Sequence, residues 1–557
     1  MQKQSFFAFL IAFSIASSAS AVDRGPDRAM DELLAQHHRA DAPGCAVGVY
    51  RGSTLLHAGG YGMANLELQV PITAASAFDI GSTSKQFTAM SALLLAADGR
   101  LSLDDDIRKH LPELPAYASR ITIRQLLHHT GGVRDYIDLL RMSGAHDDDV
   151  TTAKRAIDLL ARQQGTHFAP GVRHQYSNSG YFLVAVIVER SSGKSLRELA
   201  QQRIFAPLDM QHTLYRDDHA ELVPNRAMAY SKHEHKGWLL DVSNWEQMGD
   251  GGIVTTVADL AKWNGNFYAP VVGDASMLRT LEERGTLLDG SRIDYAMGLR
   301  HGSRKGFPTL EHAGSWGGYV SNLVRYPEQK LGVAVLCNSP DQPVRRLLEG
   351  IADLYLPPGS PDPAAGRPAN RTATPTDIEN LRQWVGSYQN PGSTDVVKFR
   401  INSAGALELA DDRETYPVLP VGEQTLQVQG IPVDVLLKLV PGSGGSPATI
   451  LQFIDGIEKD EYKFVAFEPS TATASQLQRF AGTYGCPEIQ ADYRVEVAGE
   501  QLELISPRGD SSRLAPREAG HFVGDQLRVR FKESGGGADS AMELGTQRAQ
   551  GLRCRRR

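Results

Sequence analysis

Apolar positions recur along this chain with two different periods, and the change from one to the other divides it. Residues 26–39 carry apolar side chains at helical spacing. Cys45 to Tyr50 and Leu55 to His57 are short strand-like runs on either side of Arg51-Gly52-Ser53, which predicts a hairpin. From Lys85 through Phe87, Met90 and residues 93–97 the sequence is apolar almost all round until Asp98-Gly99. That is the pattern of a buried helix with Gly99 as its C-terminal stop. Helical spacing returns over 121–127, 153–163 and 180–190, so residues 85–245 read as mainly helical. Two more strand-like runs, 319–325 and Leu331–Cys337, enclose Pro327-Glu328-Gln329 as a second hairpin. Strands at both ends with helices between them predict an α/β domain: an antiparallel sheet flanked by helices, closed by the two ends of the segment and carrying a helical insertion.

At Pro357-Pro358-Gly359-Ser360-Pro361 the composition turns to Pro, Ala, Gly and Thr as far as Pro375, the signature of a linker. Beyond it the chain repeats. Leu381-Arg382-Gln383-Trp384-Val385-Gly386-Ser387-Tyr388 returns as Leu477-Gln478-Arg479-Phe480-Ala481-Gly482-Thr483-Tyr484, and Leu407-Glu408-Leu409 as Leu502-Glu503-Leu504. A period of about 96 residues with short alternating strands in each copy predicts two small antiparallel β-barrels. The expected division is a signal peptide at 1–21, a main domain at 22–357, a linker at 358–377 and barrels at 378–469 and 474–557. The barrels are expected to fold as separable units.

The chain has 557 residues, 41% of them hydrophobic and 22% charged, an ordinary globular composition. Lys3, the apolar run at 6–16 and Ala19-Ser20-Ala21 form a secretory signal pattern, too short to span a bilayer. A periplasmic or secreted protein without stable membrane insertion is expected. The net charge of −7 is spread without a basic patch, which argues against nucleic acid as a partner. Arg553-Cys554-Arg555-Arg556-Arg557 is the exception and reads as a solvated tail. Cys45, Cys337, Cys486 and Cys554 lack metal-ligand spacing; a Cys486–Cys554 disulfide is one possibility and small buried thiols are the other.

The candidate chemistry begins at Phe78-Asp79-Ile80-Gly81-Ser82-Thr83-Ser84-Lys85, where an apolar run and a Gly turn lead into the buried helix. Ser82 then sits at a helix N-terminus, whose free N–H groups and dipole favour developing negative charge. Lys85, three residues on, projects onto the same face. A desolvated lysine can take a serine proton or orient the group that does. The plain alternative is an N-cap serine beside a surface lysine. Ser191-Ser192-Gly193-Lys194 repeats the spacing, but it follows an apolar run and reads as a polar helix end. Tyr176-Ser177-Asn178 precedes the 180–190 helix. A tyrosine near a lysine can relay the serine proton to a leaving group, and an asparagine offers both donor and acceptor to a substrate amide. Tyr388-Gln389-Asn390 carries the same pattern inside a barrel. His312-Ala313-Gly314-Ser315 opens the last hairpin, where a backbone N–H at Ser315 would complete an oxyanion hole with that of Ser82. Histidine there offers only a conditional cation. His233-Glu234-His235 reads as a solvated loop, and no metal or cofactor is expected.

The order Ser82-x-x-Lys85, Tyr176-x-Asn178, His312-x-Gly314 resembles that of the penicillin-recognising serine hydrolases, the family of class C β-lactamases, D-alanyl-D-alanine carboxypeptidases, D-aminopeptidases and related esterases. The resemblance extends over about residues 26–355 and includes Gly60-Tyr61-Gly62, Leu126 to Gly132 and Gly249-Asp250-Gly251-Gly252. It implies a β-lactamase/transpeptidase-like domain, with Ser82, Lys85 and Tyr176 as catalytic groups and Asn178, His312, Gly314 and Ser315 as substrate-binding groups. His312 stands where β-lactamases and carboxypeptidases usually have Lys-Thr-Gly, and His-x-Gly with two C-terminal barrels is similar to D-aminopeptidases. The implied activity is acyl transfer through an acyl-enzyme, acting on D-amino-acid-containing peptides or amides. Carboxylesterase or weak β-lactamase activity, and a penicillin-binding or ligand-binding sensor with little turnover, are the alternatives. The expected partners are a small peptide, amide or ester and, for assembly, further copies of the chain.

Overall fold

Two distant parts of the chain build the central sheet. A computed structural model describes residues 25–35, 39–358 apart from 118, and 381–557 apart from 391–395, 404, 411–414, 423, 430–434, 443–447, 455–456, 459–463, 468–472, 518–519, 525–526 and 533–540. The expected signal segment and nearly all of the expected linker lie outside the described residues. Strands β1 (Cys45–Arg51), β2 (Thr54–Tyr61), β3 (Arg300–Arg304), β4 (Phe307–Trp316), β5 (Tyr319–Tyr326) and β6 (Leu331–Cys337) form one antiparallel sheet in the order β3-β4-β5-β6-β1-β2. The first and last strands in sequence thus pair at its centre, with Cys45 opposite Cys337. A disulfide joins these two residues across 292 positions of chain. Closing so long a loop restricts the unfolded chain and stabilises the pairing of its ends.

Five helices matter for the site: α1 (Gly25–Leu34), α2 (Lys85–Ala97), α3 (Tyr136–Met142), α4 (Asn178–Ser192) and α5 (Val344–Tyr355). Alternation along β1 and β6 divides the sheet's side chains between two layers. Cys45, Val47, Val49, Val333 and Val335 pack with Met30 and Leu34 of α1 and Leu347, Leu348 and Ile351 of α5. Ala46, Tyr50, Ala334 and Leu336 face the other way, into the core that holds α2 and α4. Helix α2 is buried at every residue from Lys85 to Leu95, which is why its sequence has no polar face. Among the described residues, no helix is long and apolar enough to cross a membrane.

The C-terminal region contains two antiparallel barrels: the first, from Gly386–Gln389 to Phe464–Phe467, is a nine-stranded sheet closed by the pairing of Val435–Val440 with Thr449–Ile454, and the second, from Gly482–Cys486 to Leu552–Arg556, is a closed eight-stranded barrel. The sequence repeat is a repeat of structure. Arg382–Trp384 and Gln478–Phe480 are matching 3₁₀ turns, Gly386 and Gly482 have φ of 152° and 150°, and Trp384, Phe480, Tyr388 and Tyr484 are all buried.

Two expectations are corrected here. The arginine-rich terminus is the closing strand of the second barrel rather than a solvated tail, with Cys554 buried and bonded to Cys486. The second barrel is also no independent bead: its apolar core is continuous with that of the N-terminal domain. Arg134 pairs with Glu488 at 2.7 Å with both side chains almost fully enclosed, Gln164 N–H donates to the same carboxylate at 2.8 Å, and Tyr493 donates to the Met142 carbonyl at 2.6 Å. The first barrel keeps a core of its own.

Deleting one member of an enclosed ion pair leaves the other charge uncompensated. Glu488→Ala is therefore expected to lower stability by about 3–5 kcal/mol, read by chemical denaturation. A loss under 1 kcal/mol would show that the second barrel is not docked through this pair.

Candidate active site

Ser82 is presented by a turn fixed on both sides. Phe78–Asp79 pairs with Ile253–Thr255, and Ile80 N–H donates to the Ile253 carbonyl at 3.0 Å. The Asp79 carboxylate accepts from Gly81 N–H at 2.7 Å. Gly81 has φ of +48°, and a Cβ there would lie 2.7 Å from the Ser315 nitrogen of β4, so only glycine lets this turn approach the strand so closely. Gly314 meets the same limit from the strand side, where a Cβ would overlap the Ile80 carbonyl. Gly81–Ser84 is a 3₁₀ turn running directly into α2. Thr83 donates to the His312 carbonyl at 3.0 Å, and Ser84 Oγ accepts from Ile253 N–H at 3.2 Å. The turn at Gly81 is thus brought against the Ser315 backbone, one residue before Ser82.

Lys85 has no exposed surface, and its Nζ donates to Ser82 Oγ at 2.9 Å, Asn178 Oδ1 at 3.0 Å and the Asp250 carbonyl at 2.6 Å. Three acceptors match the three donors of an ammonium group. Asn178 opens α4, and its N–H donates to Asp135 at 2.6 Å. Asp135 in turn caps α3 by accepting from Ile137 N–H at 3.0 Å. Tyr136 donates to both carboxylate oxygens of Asp250, at 3.2 and 3.1 Å. Burial pushes the Asp250 carboxyl up to about 6, against the pull of the Lys85 cation. Asp79 is also raised to about 6 by burial, opposed by the Gly81 N–H and by Arg216 and Arg226.

Tyr176 lies beside this cation, with Lys85 Nζ 4.9 Å from its ring centroid and the His129 ring tilted against it at 4.2 Å between centroids. Ser82, Tyr176, Asn178 and Ser315 together line a cleft of about 670 Å³, with Trp245 and Trp316 on its wall. The competing patterns are set apart from it. Ser191 contacts His110, Lys194 is an exposed partner of Gln202 beyond the end of α4, and Tyr388 packs inside the first barrel.

His312 departs from the expectation of a conditional cation. Its Nδ1 lies 2.7 Å from the Ala313 carbonyl, which can only accept, so Nδ1 carries the proton and Nε2 accepts from the Tyr295 hydroxyl at 2.8 Å. Burial, with the Lys85 cation acting the same way, lowers this imidazole to about 3. The cleft is lined on β4 by Ser315 and Trp316, and the His312 side chain supports that wall from within.

Asp135, Tyr136, Asp250, His129 and Tyr295 support the site without a spacing that would single them out. Gly249-Asp250-Gly251-Gly252 drew notice only through the family resemblance, and nothing local reveals that a main-chain carbonyl there receives Lys85. Among the described residues, one group of possible metal ligands, Asp218, His219 and Glu246, has ligand atoms within 4.8 Å of one another. His219 and Glu246 already pair at 2.8 Å.

A sheet closed by both ends of its segment, with a buried Ser-x-x-Lys pair at the foot of an apolar helix and Tyr-x-Asn opposite, defines a serine-hydrolase-like architecture. The chain belongs to the β-lactamase family, whose model matches residues 27–356. The D-aminopeptidase of Brucella anthropi is 30% identical over 311 residues, 55% of this chain and 57% of that one, so this chain matches little more than half the length of that relative. Penicillin-binding protein 4* of Bacillus subtilis is 26% identical over 454 residues, 77% of this chain and 96% of that one. The structure of the octameric penicillin-binding protein homologue from Pyrococcus abyssi shares the fold, with a TM-score of 0.54 at 22% identity over 79% of this chain and 99% of that one.

The lowered His312 value sets a pH dependence of stability. The unfolded chain takes up this proton near pH 6.5, whereas the folded one resists it to about 3. The contribution is therefore full above pH 6.5 and is lost as pH falls toward 3, at up to about 1.4 kcal/mol per pH unit. His312→Gln removes the titration, so the stability gap between wild type and variant is expected to change between pH 7 and pH 4 in urea unfolding. A gap that stays constant would mean that folding leaves the imidazole's proton affinity unaltered.

Proposed function

We propose that this protein is an exported serine acyl hydrolase acting through an acyl-enzyme, with peptides or amides containing D-amino acids as its substrates. The observation that carries this reading is Lys85 Nζ, held 2.9 Å from Ser82 Oγ and 3.0 Å from Asn178 Oδ1 beside an open cleft. Ser82 Oγ attacks the substrate carbonyl and its proton passes to Tyr176, whose ring lies beside the Lys85 ammonium. The N–H groups of Ser82 and Ser315 receive the developing oxyanion. The carbon–nitrogen bond breaks as the proton passes to the leaving amine, and water then hydrolyses the ester on Ser82. The similarity to a D-aminopeptidase and a penicillin-binding protein supports the substrate class, and the apolar 6–16 run supports export.

A second reading, a penicillin-binding protein with little turnover, is favoured by the match spanning 96% of penicillin-binding protein 4*. Esterase and weak β-lactamase activities belong to the same acyl-enzyme chemistry. Kinetics on D-amino-acid amides, a D-Ala-D-Ala peptide, p-nitrophenyl esters and nitrocefin separate these readings. Turnover of the amides is the expected result; stable labelling by a fluorescent penicillin with no turnover supports the second.

Fluorophosphonate labelling followed by mass spectrometry is expected to place the adduct on Ser82, to fail in Ser82→Ala and to persist in Ser191→Ala. Tyr176→Phe is expected to slow acylation by about 10²–10⁴-fold, the range of a lost proton-transfer group. An adduct that survives Ser82→Ala removes the nucleophile assignment.

A further inference from the structure

The loop joining the last two strands of the second barrel, Ala541–Gly545 and Leu552–Arg556, crosses onto the N-terminal domain. Thr546 donates to Asp138 at 2.6 Å, Asp135 N–H donates to the Arg548 carbonyl at 3.1 Å, and Arg134 donates to the Gly551 carbonyl at 3.0 Å. The Thr546 hydroxyl also accepts from Arg548 N–H at 3.2 Å and Ala549 N–H at 2.9 Å, which makes the loop a tight turn rather than an open strap. Its tip is Arg548. The guanidinium carbon lies 5.5 Å from the Tyr176 ring centroid, and the residue lines the cleft with Ser82, Asn178 and Ser315.

The guanidinium at that tip has the Tyr176 ring as its contact and no ion-pair partner among the described residues. Asp138 is its nearest influence, yet that carboxylate is taken by Thr546, and Arg548 forms no ion pair within 4.0 Å with a described carboxylate. The other arginines on the cleft wall are engaged. Arg141 donates to both oxygens of Asp147 at 3.0 Å, while Arg216 and Arg226 act on the half-buried Asp79. His312, in contrast, brings no cation to the wall.

We infer that Arg548 is a specificity-determining residue, through which the second barrel supplies the cation that holds a carboxylate on the leaving group of the substrate. This rests on the acyl-hydrolase reading above, in which Tyr176 returns the proton to the leaving amine, because a cation on the Tyr176 face then lies on the leaving-group side. A guanidinium presents paired N–H donors that match a carboxylate, and its cation–π contact with Tyr176 holds it without using those donors. The favoured substrate is a short peptide whose released residue ends in a free carboxylate, and the site is complete only with the second barrel docked.

The test uses the full-length protein and two peptides identical except that the released D-residue ends in a carboxylate or in a carboxamide. Fluorophosphonate labelling of Ser82 is followed in the same preparations. Wild type is expected to favour the carboxylate peptide, and Arg548→Gln to reduce the carboxylate-to-carboxamide ratio of kcat/KM by about 10- to 100-fold, the worth of one charge-assisted pair. Arg548→Lys is expected to recover part of the ratio and Arg548→Glu to reverse the preference. A labelled wild type whose ratio does not change in Arg548→Gln and Arg548→Glu overturns the assignment and leaves the hydrolase reading standing. An equal fall on both peptides also overturns it, because it assigns Arg548 to supporting Tyr176. A wild type that neither labels at Ser82 nor cleaves either peptide overturns both.

Discussion

A charged ammonium group with no exposed surface is the constraint from which the rest of the site follows. Leaving Lys85 unpaired inside an apolar helix would be far costlier than any single packing contact. Its three donors are met by a hydroxyl, an amide oxygen and a main-chain carbonyl from three separate segments. Those segments are therefore fixed relative to one another. The groups behind the acceptors extend the same logic, since Asp135 holds Asn178 by its N–H and Tyr136 holds the Asp250 carboxyl. Ser82, held to a cation by so many indirect ties, keeps its geometry before any ligand arrives, and such preorganisation is what the proposed acyl transfer requires.

Residues 134–138 join two tasks in five positions. Arg134 carries the enclosed ion pair with the second barrel, Asp135 holds Asn178, Tyr136 holds Asp250, and Asp138 receives the barrel loop. Docking of the barrel and order around Lys85 thus share one short stretch of backbone. Movement of the barrel away from its seat would remove the partner of Asp135 N–H and the ion partner of Arg134 together. That coupling is physical rather than statistical, because the same side chains touch both sides.

Much of this was legible in the sequence, and the limits have physical causes. The apolar run after Lys85, the two hairpins and the 96-residue repeat are local patterns, and local patterns survive translation into elements. Ser82 and Lys85 were legible because their spacing joins them on one helical face. Asn178 was suggested by its pattern, but its bond to Lys85 spans 93 positions and depends on how two helices cross. His312 was visible as a residue and not as a chemical state: its neutrality comes from burial and from the Lys85 cation, neither of which a tripeptide encodes. The arginine-rich terminus was misread because its charges alternate with Leu552 and Cys554, both buried, and five residues are too few for alternation to outweigh composition. The disulfide partners had no spacing to reveal them, and only the pairing of β1 with β6 brings Cys45 to Cys337.

The two barrels show why a repeat in sequence need not repeat a role. Both keep the 3₁₀ turn, the following glycine and a buried tyrosine, which are the features a closed barrel of this size needs. What differs lies outside that shared frame. Glu488, Tyr493 and the 546–551 loop face the N-terminal domain, and the first barrel instead meets the second, where Arg528 donates to the Asn390 carbonyl at 3.2 Å and Arg517 lies 5.4 Å from the Phe467 ring centroid. Docking residues on a barrel exterior are free of the core's packing constraints, so one copy can acquire a seat against the cleft while the other keeps only its fold. The second barrel's disulfide suits that position. Cys554 lies in the closing strand that directly follows the loop carrying Arg548, and its bond to Cys486 ties that strand to the first strand of the same barrel. The loop tip is thereby mounted on a strand that cannot separate from its barrel without breaking a covalent bond, while the hydrogen bonds of Thr546, the Arg548 carbonyl and the Gly551 carbonyl hold that loop against the N-terminal domain beside Tyr176.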